Sequence, residues 1–245
     1  MKLYELQVDE GWKDWAMAAG VGAVTLGGGH AVHDAFKSKA PASQEKQVVQ
    51  QTQQRSVQAT PVLQRKAKVT PASIAQSLYK QASTDLEKTL IAHASKAGID
   101  NTELKQFLAQ CAHETAGFTT LAEVGSNKYM MKRYDKKYAP VKAKILGNVH
   151  KGDGVKYKGR GYLQLTGRYN YALAGEALGL PLEDNPEMVE QPDVAAKVAI
   201  WYWNARVKPK VDDFSDVKAS TKPINPGLGG LKNRTAHYDR YASIS

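Results

Sequence analysis

The carboxyl of Glu114 is the first group in this sequence placed for proton chemistry. It lies in the run Ala112-His113-Glu114-Thr115-Ala116-Gly117-Phe118, at the end of a segment where Leu104, Phe107, Leu108, Cys111 and Ala112 recur at i, i+3, i+4, i+7 and i+8. That period is an amphipathic helix, opened by Asn101 or Thr102 as cap and ending near Gly117. Turning about 100° per residue from Leu104 puts Glu114 at about 280°, on the border of the apolar stripe. It also falls in the last turn, where the helix dipole is negative. Both features favour the protonated carboxyl that a general acid requires near neutrality, although an ordinary boundary glutamate has the same spacing. His113, at about 180° on the opposite face, reads as an exposed or locally hydrogen-bonded histidine.

A second set of polar groups comes from KYKGRGYLQLTGRYNY (156–171). Its residues alternate, with Tyr162, Gln164 and Thr166 on one side and Leu163 and Leu165 on the other, which predicts a short, half-buried strand with a polar face. Gly159, Gly161 and Gly167 bracket it, consistent with tight turns or a close backbone approach by a ligand.

Helices must position these groups. Residues 72–97 carry Ile74, Leu78, Leu86, Leu90, Ile91 and Ala94 at mostly helical spacing, with Gly98 placed to stop the run. Pro192 and Asp193 open another helix in which Val194, Val198, Trp201, Tyr202 and Ala205 share a face. Upstream of Thr70 the grammar is different. Residues 41–70 hold eight Gln, two Pro and no aromatic residue, a linker composition that cannot bury enough apolar surface to order itself. Residues 1–40 include the small-residue run AMAAGVGAVTLGGGHAV. Its uncharged part is shorter than about 18 apolar residues and is preceded by acidic residues, so it reads as a docking or targeting segment rather than a stable membrane span or signal peptide.

With 245 residues and 42% apolar content the chain supports one sizeable core. The single cysteine, Cys111, excludes an internal disulfide, and six scattered His offer no zinc cluster of usual spacing, so neither a structural metal nor a cofactor is expected. The net charge of +10 divides as +3 over residues 1–70 and +7 over 71–245. We read this as a diffuse field suited to polyanions, with no nucleic acid required.

AHETAGF (112–118), Arg133-Tyr134-Asp135, GDGVKYKGRGYLQLTGRYNY (152–171), NPEMVEQPDVAAKVAIWYW (185–203) and INPGLGGLKNR (224–234) occur in that order. Together they resemble glycoside hydrolase family 19, the chitinase-type enzymes, and especially its phage endolysin branch, over about residues 72–242. The resemblance implies an α+β fold: a mainly α-helical, lysozyme-like domain at 71–245 with a small antiparallel β element, after a flexible N-terminal tail. It implies hydrolysis of β-1,4 links between N-acetylated amino sugars with inversion. Glu114 would be the proton donor, Gln164 would face the sugar, Thr166 would position the attacking water, and Asn170, Asn225 and Arg234 would complete the site. For the base, Glu123 and Asp135 both stand open. Asp135 is favoured by its sequence distance from Thr166, with Glu123 as a sugar contact. His113 and Tyr157 join the expected substrate contacts, and Tyr129, Tyr134 and Tyr162 could stack on sugar rings. Pro226 departs from the family's Gly after Asn225.

The absence of disulfides, the basic charge and the phage-like motifs favour bacterial peptidoglycan as substrate, with the protein in a virion or the host cytoplasm and residues 1–40 docking to other virion proteins. A lytic transglycosylase, a chitinase and a non-catalytic wall-binding virion protein are the alternatives.

Overall fold

The computed structural model describes residues 74–245; the expected segments 1–40 and 41–70 lie outside the described residues. The apolar spacing expected of one run is delivered by two helices, α1 (Ile74–Gln81) and α2 (Asp85–Lys96). Thr84 makes the break. Its hydroxyl accepts the Glu87 N–H at 3.1 Å while the Glu87 carboxylate accepts the Ser83 N–H at 2.9 Å, so capping a new helix replaces continuation of the old one. Gly98, at φ +77°, stops α2, and the Ile99 N–H returns to the Ala94 carbonyl at 3.0 Å.

Next comes α3 (Asn101–Glu114), the central helix, with Leu104, Phe107, Leu108 and Cys111 fully buried. It is followed by α4 (Asn127–Tyr134), α5 (Pro140–Ile145), α6 (Asp153–Lys156), α7 (Arg168–Leu178), α8 (Pro192–Tyr202), α9 (Val217–Thr221) and α10 (Leu231–Ala242). The long helix α10 lies along α3, and α8 packs on α2. Because α3 is covered by elements from both ends of the sequence, the residues of its last turn sit on a surface built by most of the fold.

Two expectations fail locally. The segment read as a strand is a tight hairpin: Arg160 and Leu165 exchange backbone hydrogen bonds at 3.1 and 2.7 Å, and Gly161 and Gln164 take φ of +76° and +48°. A bend at residues 161–164 abolishes period-two alternation, so Tyr162 is buried, donating to the Leu86 carbonyl at 2.8 Å. Among the described residues the β structure is limited to the isolated bridges Ala122 to Arg160 and Arg160 to Leu165. The small antiparallel β element is therefore not a sheet, and the described architecture is mainly helical. At the end of α8, a π turn over Trp203–Val207 shifts the helical register. Trp203 is thereby buried edge-on against Phe107, 5.1 Å between centroids, whereas Ala205 leaves the expected face for solvent.

Residues 126–158, the lobe, hold a second apolar centre of Met130, Tyr134 and Leu146, while Tyr157 near the lobe's end packs in the main core. Ser126 caps α4 by accepting the Tyr129 N–H at 3.2 Å. Helices α4 and α6 approach so closely that a Cβ on Gly154 would lie 2.6 Å from the Asp135 backbone nitrogen. Backbone cannot yield as a side chain does, so Gly154→Ala must force the helices apart. We predict a loss of about 1–3 kcal/mol, seen as a lowered thermal unfolding midpoint; an unchanged midpoint would contradict this packing.

Candidate functional site

Glu114 ends α3 with its side chain 19% exposed, and its Oε1 accepts from Nη2 of Arg234. Arg234, on the first turns of α10, is wholly buried. Its Nη1 donates to Gln110 Oε1 at 2.6 Å and its Nε to the Gly229 carbonyl at 3.4 Å, while Gln110 in turn donates to Thr221 on α9. Gln110 and Glu114 are four residues apart on one face of α3, so one guanidinium spans both. Arg234 is thus the support of the carboxylate, not the sugar contact expected. The guanidinium takes Oε1 of Glu114 and leaves Oε2 outside this pairing.

The chain leaves α3 under strain. Ala116, Gly117 and Phe118 all have positive φ, at +51°, +76° and +62°. Thr115 holds this turn, donating to the Cys111 carbonyl at 2.7 Å and accepting the Phe118 N–H at 3.0 Å while fully buried. Non-glycine residues in that region cost free energy and persist only where neighbours fix them. His113 is half-buried and tied to α10. Its Nδ1 lies 2.7 Å from Asn233 Oδ1, and its ring covers Gly230 so closely that a Cβ there would fall 2.1 Å away. Burial and then the Arg234 charge push its pKa down from the usual imidazole range, and Nδ1 faces an oxygen that can only accept.

Glu123 is the second carboxylate expected at the site. Its backbone N–H donates to the Gly159 carbonyl at 2.9 Å, its Oε2 accepts the Gly159 N–H at 3.0 Å, and its Oε1 accepts the Tyr134 hydroxyl at 2.9 Å. Burial and then the charge of Glu123 push the Tyr134 phenol far up, so it stays a donor. Arg133 donates to that hydroxyl at 2.9 Å, and the Lys142 ammonium lies 4.6 Å over the Tyr134 ring. Burial and then Arg133 lower the Lys142 pKa to about 8.

Gly159 is where these groups meet. A Cβ on it would lie 2.7 Å from Gln164 Oε1, 3.1 Å from Glu123 Oε2 and 3.3 Å from Thr166 Oγ1. The hairpin therefore delivers Gln164 and Thr166 to Glu123, although by a turn rather than by a strand. Thr166 donates to the Gln164 carbonyl at 2.8 Å, which leaves its oxygen to accept. Two acceptors side by side can take both protons of one water and leave its lone pairs free.

The remaining expected site residues have the following surroundings. Asp135 is 1% exposed, with Oδ1 accepting the Lys137 N–H at 3.1 Å and Oδ2 the Gly152 N–H at 2.8 Å. A carboxylate so buried and so used ties the lobe together and has no face for a water. Asn170, 3% exposed, donates to the Thr166 carbonyl at 2.7 Å and accepts from Arg206 at 3.0 Å, bracing Thr166 from behind. Tyr157 is fully buried, its hydroxyl on the Glu183 carbonyl at 2.9 Å and its ring 5.5 Å from that of Tyr171. Asn225 is half-buried on the turn before α10, with its backbone N–H on the Thr221 carbonyl at 2.8 Å. Sequence reasoning missed Gln110, Thr115 and the role of Tyr134. None left a signal in the apolar periodicity: Gln110 falls at about 240° on the same wheel, outside the stripe.

Among the described residues no three His, Cys, Asp or Glu converge as metal ligands would. Asp135→Asn replaces one acceptor by a donor against a backbone N–H. We predict a loss of about 1–3 kcal/mol in urea unfolding; wild-type stability would contradict the buried assignment.

The glycoside hydrolase family 19 model, described as chitinase class I, matches residues 67–225. A glycosyl hydrolase family 19 domain-containing protein of Haemophilus influenzae is 30% identical over 183 residues, 66% of this chain and 90% of that one. An endochitinase of Arabidopsis thaliana is 36% identical over 135 residues, 55% of this chain, which spans only 42% of that protein's length. The fold is similar to chitinase C from Streptomyces griseus, with a TM-score of 0.52 and 25% identity over 70% of this chain and 89% of that one. Family model, relative and fold agree over the region that holds Glu114, Glu123 and the 159–166 hairpin: the chain belongs to glycoside hydrolase family 19.

Proposed function

We propose that this glycoside hydrolase cuts β-1,4 bonds between N-acetylated amino sugars of bacterial peptidoglycan by a single displacement with inversion. The observation that carries the reading is the meeting of Glu123, Thr166 and Gln164 over Gly159, with Glu114 held separately by buried Arg234. Glu114 protonates the leaving oxygen from Oε2 while Arg234 holds Oε1. Glu123, supported by Tyr134 and the Gly159 N–H, takes a proton from a water whose second proton rests on Thr166. The water oxygen then attacks the anomeric carbon opposite the leaving group. Gln164 turns its amide toward the same water or the sugar. The base role favoured for Asp135 passes to Glu123 on burial alone.

Peptidoglycan is preferred to chitin because the chain is strongly basic, and an anionic mesh attracts it where a neutral polymer does not. In this reading the first 70 residues serve delivery to the wall, as in a phage-borne hydrolase. Chitin hydrolysis is the second reading, favoured by relatives named as endochitinases at 34–36% identity.

Glu114→Gln and Glu123→Gln should each lower turnover by about 10²–10⁴-fold, whereas Asp135→Asn should stay within about threefold of wild type once folded. The reverse order for Glu123 and Asp135 would return the base to Asp135. Mass spectrometry of fragments from purified walls should show ordinary reducing ends; anhydro ends would mark a lytic transglycosylase, and release only from chitin oligosaccharides would give the second reading.

A further inference from the structure

The positive charge is not diffuse. Residues 126–158 hold ten of the chain's 34 Lys and Arg but two of its 24 Asp and Glu, so one lobe of 33 residues carries +8 of the net +10. Both acids are buried and spent: Asp135 on two backbone N–H groups, and Asp153 on Arg168 at 2.8 and 3.0 Å and on the His150 N–H at 2.9 Å. Lys128, Lys132, Lys136 and Lys144 are exposed and make no ion pair among the described residues.

The same lobe displays apolar surface. Of the six exposed large hydrophobic residues among those described, Tyr129, Tyr138, Val141 and Val149 lie on it and Val124 stands at its edge. Cations at 5–6 Å from tyrosine rings recur here, with Arg133 over Tyr129 and Tyr134 and Lys137 over Tyr138. Surface aromatics with flanking ammonium groups suit a ligand that has both ring faces and anions.

The lobe is also joined to the site. Arg133 donates to the Tyr134 hydroxyl, and that hydroxyl donates to Glu123. Anions held here would lie beside Glu123.

We propose that the 126–158 lobe is a carboxylate-recognising subsite. Its exposed lysines pair with the lactyl and peptide carboxylates of a peptidoglycan strand, while Tyr129 and Tyr138 take sugar faces. The inference rests on the peptidoglycan reading and deepens it, because chitin, which lacks carboxylates, gains nothing from this surface.

The test uses the full chain carrying Glu114→Gln, so that binding is read without cutting. Retention on purified walls is compared with walls whose carboxyls have been amidated and walls stripped of phosphate polymers. A second protein adds Lys132→Gln, Lys136→Gln, Lys137→Gln and Lys144→Gln, its fold checked by thermal unfolding. Amidation and the four substitutions should each weaken retention by about tenfold; phosphate stripping should not, and duplex DNA should not compete. Undiminished retention on amidated walls, loss on phosphate stripping, or displacement by DNA would each overturn the subsite. Wild-type protein that binds walls through carboxylates yet releases no fragments would instead overturn the peptidoglycan reading and leave the subsite standing. Fragment release with retention indifferent to amidation would do the opposite.

Discussion

A guanidinium with no exposed surface has to be paired, and the pairing of Arg234 with Glu114 and Gln110 organises the centre of this domain. Removing a charge of that kind from water costs several kcal/mol, offset only when opposite charge and acceptors meet it in good geometry. Both acceptors come from one face of α3 and the guanidinium from α10, so the seating of the two helices and the placement of the carboxyl are one event. Deleting the Glu114 side chain would strand a buried cation, whereas glutamine keeps an acceptor on it. That difference makes the amide the informative substitution at this position.

The opposite side of the site obeys a different constraint, the space over Gly159. No side chain fits there without displacing the oxygens of Glu123, Gln164 and Thr166. Glu123 is fixed by one donor from the hairpin and one from α4, which makes this carboxylate a junction between the hairpin and the lobe. Glu114 is therefore anchored by a buried cation, and Glu123 by neutral donors.

What sequence could show follows from what periodicity encodes. The apolar stripe of α3 located Glu114 on the helix and at its border, and the Gly-rich 159–167 segment did bring Gln164 and Thr166 to the site. Alternation assigned them to a strand because Gly161 and Gln164 at positive φ leave no mark on a pattern of apolar and polar residues. Asp135 was favoured over Glu123 on sequence distance, and distance along a chain does not report burial. Tyr157 failed for the same reason, as an aromatic residue is equally at home in a core or a cleft. Charge misled differently. Dividing the chain at residue 70 averaged the ten Lys and Arg of residues 126–158 into a large segment.

The central claim is that Glu114 and Glu123 act on one bond in a single step, with a water between base and sugar. Proton NMR of the reducing ends in the first minutes of hydrolysis reads this directly, before mutarotation mixes the anomers. Cleavage of a β-1,4 link by this arrangement must release the α anomer first. Initial release of the β anomer would require a covalent intermediate and would contradict the account.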